Sequence, residues 1–308
     1  MNPAITRINY YNILAMLASA GLAFFMPFEL VLLSYAILGP LHYLTEISWL
    51  NTRQFFTLKK YDYLLIAGVV VICVLLKLQT ANLVYYSFGL SFILLAVHKT
   101  HHRALAFLLL IAMGYFLLTN NLLRTVFGLY IPTLIHVYIF TGAFILLGAL
   151  RDKDFSGYAA FTVFLICPVV LSMLFTGIHN QPTQWAMDGY KYFAHINTTT
   201  LRNQSIDVYA NSTSIILTRI IAFAYTYHYI NWFSKTKVIN WHRVSKVTAA
   251  MIIVVWVASV ALYFYNYHLG IKWLFILSLA HVILEFPLNH KSFIDIGKQL
   301  GIRFSSAK

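Results

Sequence analysis

The sequence predicts an all-α, polytopic membrane protein, and three observations carry that prediction. Apolar runs of 18 or more residues recur along the chain, each long enough to cross ~30 Å of hydrocarbon as a helix. Charged residues make up only 10% of the 308, where soluble domains carry about 25%, and the mean hydropathy is +0.73. The runs also fail to alternate polar with apolar, as the strands of a membrane barrel must. A backbone crossing lipid has to satisfy its own hydrogen bonds, which leaves the helical bundle.

Ten spans are expected, in order. The first covers 9–27, entered directly from "MNPAITRINYYNILAML" and stopped at Pro27; no small-residue cleavage site marks it as a removable signal peptide. The second is 30–50, and the third, 61–78, follows the basic pair Lys59 and Lys60. The fourth, 82–99, runs into "HKTHH", and the fifth, 103–119, ends at Asn120 and Asn121. The sixth is 122–149 and the seventh 158–178. A long segment, 179–208, mixes aromatic and polar residues and reads as a connecting loop, a lid or a surface helix. Spans 209–233, 247–268 and 270–288 complete the set. Residues 1–290 would form one transmembrane domain, and 291–308 a short basic tail on the inner leaflet.

Charge sets the orientation. In this arrangement sixteen Lys and Arg residues fall on the side that holds the N-terminus, five on the other, and Arg219 alone inside a span. The positive-inside rule then places both termini in the cytoplasm, as for a protein of a bacterial inner membrane. The net charge of +13 sits in short loops between apolar runs, which argues against nucleic acid as a partner. Cys73 and Cys167 both lie in apolar segments, so neither a disulfide framework nor a thiolate zinc site is expected.

The costly residues point to chemistry. Of twelve histidines, His42, His98, His101, His102, His136, His228 and His281 fall in the even-numbered spans or at their inner ends. "GPLHYLTE" and "LAHVILEF" each place a glutamate four residues after a histidine, one helical turn away on the same face: His42 with Glu46, His281 with Glu285. A charged carboxylate costs roughly 2.5–3.5 kcal/mol at the centre of a spanning helix, so both glutamates must face inward and have partners. A divalent metal, or an imidazole already bound to one, fits both glutamates and several histidines at once. Imidazole with carboxylate and no thiolate suits iron, zinc or manganese. Ferrous iron implies oxygen activation, and zinc, the alternative metal, implies hydrolysis by metal-bound water.

The pieces "GPLHYLTE", "LSFILLAVHKTHH", "AYTYHYINWF" and "LAHVILEFPLNHKS" together resemble the Brp/Blh-like membrane carotene dioxygenases, which cleave β-carotene to retinal. The resemblance spans most of the chain through a few residues in each anchor. It implies an iron site built from four histidines, carried here by His42, His98 and His228, with His281 and Glu285 in the last anchor. Where the family has a fourth histidine, four residues after the third, this chain has Trp232. The resemblance therefore leaves the fourth ligand to His281, His136 or His102.

The leading expectation is an integral-membrane, non-haem iron oxygenase taking O2 and a lipophilic isoprenoid, carotenoid or lipid that enters from the bilayer. His42, His98, His228 and His281 would hold iron, with His136 and His102 as further ligands. Glu46 and Glu285 would orient the ligands or bind directly. A metal-ion or proton transporter using the same residues as a relay is the alternative, and a bis-histidine haem protein a third reading.

Overall fold

The computed structural model describes residues 3–53, 79–174, 181–235 and 242–301, together with residues 71, 75 and 240. Within them all regular structure is helical, and six helices are long and apolar enough to cross a membrane. This is an integral membrane protein.

Helix α1, Pro3–Phe25, buries Asn12, Met16, Ser19 and Ala23, a stripe recurring every three or four residues, and turns Tyr10, Leu14 and Leu17 outward. It stops where Met26 leaves helical geometry and Pro27 opens α2, Pro27–Arg53. Proline suits that first position, since its fixed φ and missing N–H cost nothing there. Helix α3, Thr80–Ala96, and α4, Thr100–Leu117, form a hairpin. Asn120 then caps α5, Asn121–Asp152, by accepting from the backbone N–H groups of Leu122 and Leu123. Helix α6, Phe155–Met173, returns alongside the end of α5.

Two short helices follow, α7 (Gln184–Tyr190) and α8 (Ala194–Thr200). The segment expected as a loop, a lid or a surface helix thus holds two short helices, and from 181 on it packs against the bundle. Tyr190, Phe193 and Ile196 are buried, and Asn197 donates to Ser214 Oγ and Thr218 Oγ1, each at 2.9 Å, on the next helix. Helix α9, Ser212–Ser234, packs against α1, α2, α5 and α6 and is buried almost all round. Helix α10, Lys246–Tyr265, is the opposite case, turning Val247, Met251 and Val254 outward as a lipid-facing surface. Helix α11, Tyr267–Gln299, packs against α10, α2, α3 and α5.

Several expectations change. Ser212–Ser234, with 23 residues, is long enough to span but carries Arg219, His228 and Asn231, so it lacks the hydropathy of the six spanning candidates. Thr80–Ala96 and Thr100–Leu117 are apolar but short. The span expected at 61–78 lies outside the described residues, apart from positions 71 and 75. The expected tail begins as helix: α11 passes through Pro287 to Gln299, and His290, expected in a loop, is buried there, its Nε2 2.9 Å from the Phe88 carbonyl oxygen. The last positions of that tail, 302–308, lie outside the described residues. Arg219 lies buried against α1, where Nε donates to the Phe24 carbonyl at 3.1 Å and the guanidinium sits 4.2 Å from the Phe24 ring. Cations favour the C-terminal end of a helix, where carbonyls are left unpaired.

The turn from α10 into α11 depends on one glycine. A Cβ at Gly270 would collide with the backbone of Tyr263. Gly270→Val should therefore lower the unfolding midpoint in mild detergent by several degrees, a cost of about 1–3 kcal/mol from overpacking. An unchanged thermal melt would show that the two helices do not approach this closely.

Candidate metal centre

Four helices each deliver one histidine to a common point: His42 from α2, His136 from α5, His228 from α9 and His281 from α11. One nitrogen from each lies within 4.8 Å of all the others. His42 Nε2 and His228 Nε2 are 3.0 Å apart, as are His136 Nε2 and His281 Nε2. All four residues are buried, with at most 6% of their surface exposed.

Local backbone explains part of this convergence. A single wide π turn, Ser34–Leu38, precedes His42 by one turn, and a longer π segment, Val126–Phe140, contains Pro132 and His136. Widened turns change the angle at which the following side chains leave the helix and concentrate at functional sites. Proline favours such a turn because it cannot donate the ordinary backbone bond. Gly39 then allows close packing beside His42, since a Cβ there would lie 3.0 Å from the Tyr43 hydroxyl.

The glutamates complete the cluster, and they take different places. Glu46 Oε2 lies 3.1 Å from His42 Nε2, the nitrogen that faces the other histidines. Glu285 Oε2 lies 3.2 Å from His136 Nδ1, the nitrogen facing away from His281. Glu46, His281 and Glu285 form a second group whose ligand atoms also fall within 4.8 Å. Each glutamate is 2% exposed. Neither contact is aligned as a hydrogen bond, so Glu46 Oε2, Glu285 Oε2 and His42 Nδ1 find no such partner among the described residues. Orphaned buried polar atoms of this kind cost about 1–3 kcal/mol each, more when charged. A cation among them removes that cost, and the donor set of four imidazoles and two carboxylates fits one.

The surrounding side chains hold the imidazoles in place. Thr141 Oγ1 is 2.7 Å from His228 Nδ1. The Tyr43 ring stacks on His281 at 4.3 Å, and its hydroxyl lies 2.6 Å from that of Tyr229. Trp232 packs edge-on against His42 at 5.5 Å and donates from its indole to Thr45 Oγ1. Thr45 Oγ1 in turn donates to the Leu41 carbonyl at 2.8 Å, which ties the indole to the helix that carries His42.

Of the residues singled out in the sequence, the structure gathers His42, Glu46, His136, His228, His281 and Glu285. It does not bring in His98 or His102, and that part of the expectation is corrected. Helix α3 ends at Ala96, Val97 is extended, and His98 is exposed beyond it; His102 is exposed in the first turn of α4. His136, read only as a further candidate, sits at the centre. Thr141 and Tyr43 had no signal of their own in the sequence, and Tyr229 stood out only as one of a run of aromatics. Asn289, buried one turn beyond Glu285, did have one: His281, Glu285 and Asn289 fall four apart on one helical face.

A cavity of about 540 Å³ reaches the cluster from one end, touching His42, Glu46, His228 and Glu285. On each of the four histidine helices it is lined by residues that follow the histidine, outward to Trp49, Arg151, Lys235 and Asp295. The other side of the cluster is closed by the buried rings of Tyr35, Tyr43, Tyr225 and Tyr229. No family model, curated protein or solved structure matches the chain.

Removing a partner behind a metal-bound imidazole weakens metal affinity by roughly 10–100-fold. Thr141→Val should do so here through His228, as read by competition against a graded chelator. Unaltered affinity would mean that His228 is not oriented by this contact.

Proposed function

We propose that the chain is a non-haem, iron-dependent membrane oxygenase that acts on a lipophilic isoprenoid, carotenoid or lipid together with O2. The observation that carries this reading is the convergence of four imidazole nitrogens and two unpartnered carboxylate oxygens at the inner end of a cavity. The resemblance to the Brp/Blh-like carotene dioxygenases belongs to the same proposal, as do ten spans, cytoplasmic termini and a bacterial inner membrane.

Imidazole with carboxylate and no thiolate is a donor set that iron accepts, as zinc also does, and iron is the metal of this proposal. Charge balance favours a single ion, since one divalent cation neutralises the two carboxylates that the apolar bundle would otherwise have to bury charged.

In this reading His42, His136, His228 and His281 supply the ligands and Trp232 takes the place of the family histidine without ligating. Glu285, 3.2 Å behind His136 Nδ1, would orient that ring, and Thr141 would orient His228 through its Nδ1. Glu46, on the facing side, would bind the metal directly or hold a proton beside it. When bound, ferrous iron would supply O2 binding and activation. The tyrosine layer keeps bulk water from the far side of the cluster. That layer also weighs against the proton-relay alternative, which needs water on both sides.

The test is elemental analysis and absorption spectroscopy of the detergent-purified protein, before and after a chelating wash. One iron per chain without a Soret band is expected, lost in His42→Ala. Zinc in its place would move the reading to a hydrolase, and a chain that retains no metal would move it to a transport relay. Because the ligands must be deprotonated to bind, affinity for iron should fall as pH is lowered from 7 to 5, with protons released on binding.

A further inference from the structure

The cavity changes character along its length. At its inner end are His42, Glu46, His228 and Glu285; its middle is walled by Ile8, Trp49, Phe144, Ile145 and Leu288; its rim carries Arg151, Lys235 and Lys291 together with Asp152 and Asp295. It therefore opens among polar side chains at an end of the bundle, where α1 begins and α5 and α9 finish. A pure hydrocarbon entering sideways from lipid would need no such rim.

Lys235 is the informative residue of the three basic ones. Arg151 is held by Asp295 at 2.6 Å. Lys235 is half-buried at the cap of α9, and no carboxylate pairs with it among the described residues. Burial lowers its ammonium to about 8. A partly desolvated ammonium in a cavity wall is stabilised by an anion that brings its own hydrogen-bond acceptors. Lys235 follows His228 by seven residues, two turns of α9, or roughly 10 Å along the axis. A head group at Lys235 thus reaches the cluster only through several carbons of a tail lying along the apolar wall.

Resting on the oxygenase reading above, we infer that the substrate is an anionic amphiphile: a long apolar tail with a carboxylate or phosphate head. It enters tail first from the polar end, holds its head at Lys235 and presents an internal position of the tail to the cluster. Free inorganic anions share the head-group chemistry but lack the tail that fills the middle of the cavity, whose volume lies within the range of small-molecule sites.

Trp49 and Trp232 line the cavity, so bromine-bearing ligands will report on it by quenching their fluorescence. The experiment compares dibromostearate with its methyl ester on the full-length, detergent-purified protein, with iron content measured on the same samples. The acid should quench saturably and the ester only weakly. Lys235→Met should weaken the acid roughly tenfold, the loss of one charge-assisted hydrogen bond, and Lys235→Arg should restore it. Acetate or inorganic phosphate should not displace the acid. Equal quenching by acid and ester, or an unaffected Lys235→Met that still folds and holds iron, overturns the inference. Displacement by acetate or phosphate alone also overturns it, by making the rim a simple anion site. A preserved acid preference in protein that holds no iron supports the amphiphile site while removing the oxygenase reading.

Discussion

The rest of this structure depends on two carboxylates buried where a carboxylate should not be. Glu46 and Glu285 sit inside an apolar helical bundle, each 2% exposed. Uncompensated, each costs several kcal/mol in such a setting. His42 stands beside Glu46, His136 beside Glu285 and His281 near both, and the cluster these histidines form with His228 ties α2, α5, α9 and α11 to one point.

Meeting at one point has consequences for the helices themselves. Regular α-helical turns space their side chains by fixed angles, so four independent helices rarely aim four imidazoles together without local adjustment. The π turns at Ser34–Leu38 and Val126–Phe140 supply it on two of them, immediately before or around the histidine. The aromatic residues then set the depth of the site. Tyr43 lies flat on His281, and Gly39 makes room for the hydroxyl pair that Tyr43 forms with Tyr229. A side chain at Gly39 would push that pair apart and with it the ring that supports His281.

The centre is also asymmetric along the bundle axis. One side is a packed layer of tyrosines, backed by α7 and α8 through the contact of Tyr35 with Phe193. The other is a cavity that passes both glutamates and ends at charged side chains. The approach to the cluster lies on the side where Glu46 and Glu285 stand. An apolar wall between the rim and the cluster lets a ligand bury its tail while its head stays near water, the same division that long basic side chains make at an interface.

Much of this was legible in the residues. Hydropathy alone gave a helical membrane bundle, because every spanning backbone must close its own hydrogen bonds whatever its partners are. The two His–Glu pairs four apart were readable as inward-facing, because the cost of a buried carboxylate is paid or avoided within one helix turn. Depth was readable more coarsely: His42, His98, His101, His102, His136, His228 and His281 all fell in one range of the bundle, and the structure gathers four of them. A span was also expected at 209–233, and α9 stands there, although His228, Asn231 and Arg219 leave it less apolar than the six spanning candidates and neighbouring helices bury most of it. The sequence ranked His98 above His136, but Val97 turns extended and leaves His98 at the surface, while the π segment that contains Pro132 carries His136 into the cluster. Which nitrogen faces which neighbour, that Glu46 lies in front of its histidine and Glu285 behind another, and that the cavity opens beside Lys235 were decided only by the packing of helices far apart in the chain. Spacing along a helix fixes which residues share a face; only tertiary contact fixes what that face meets.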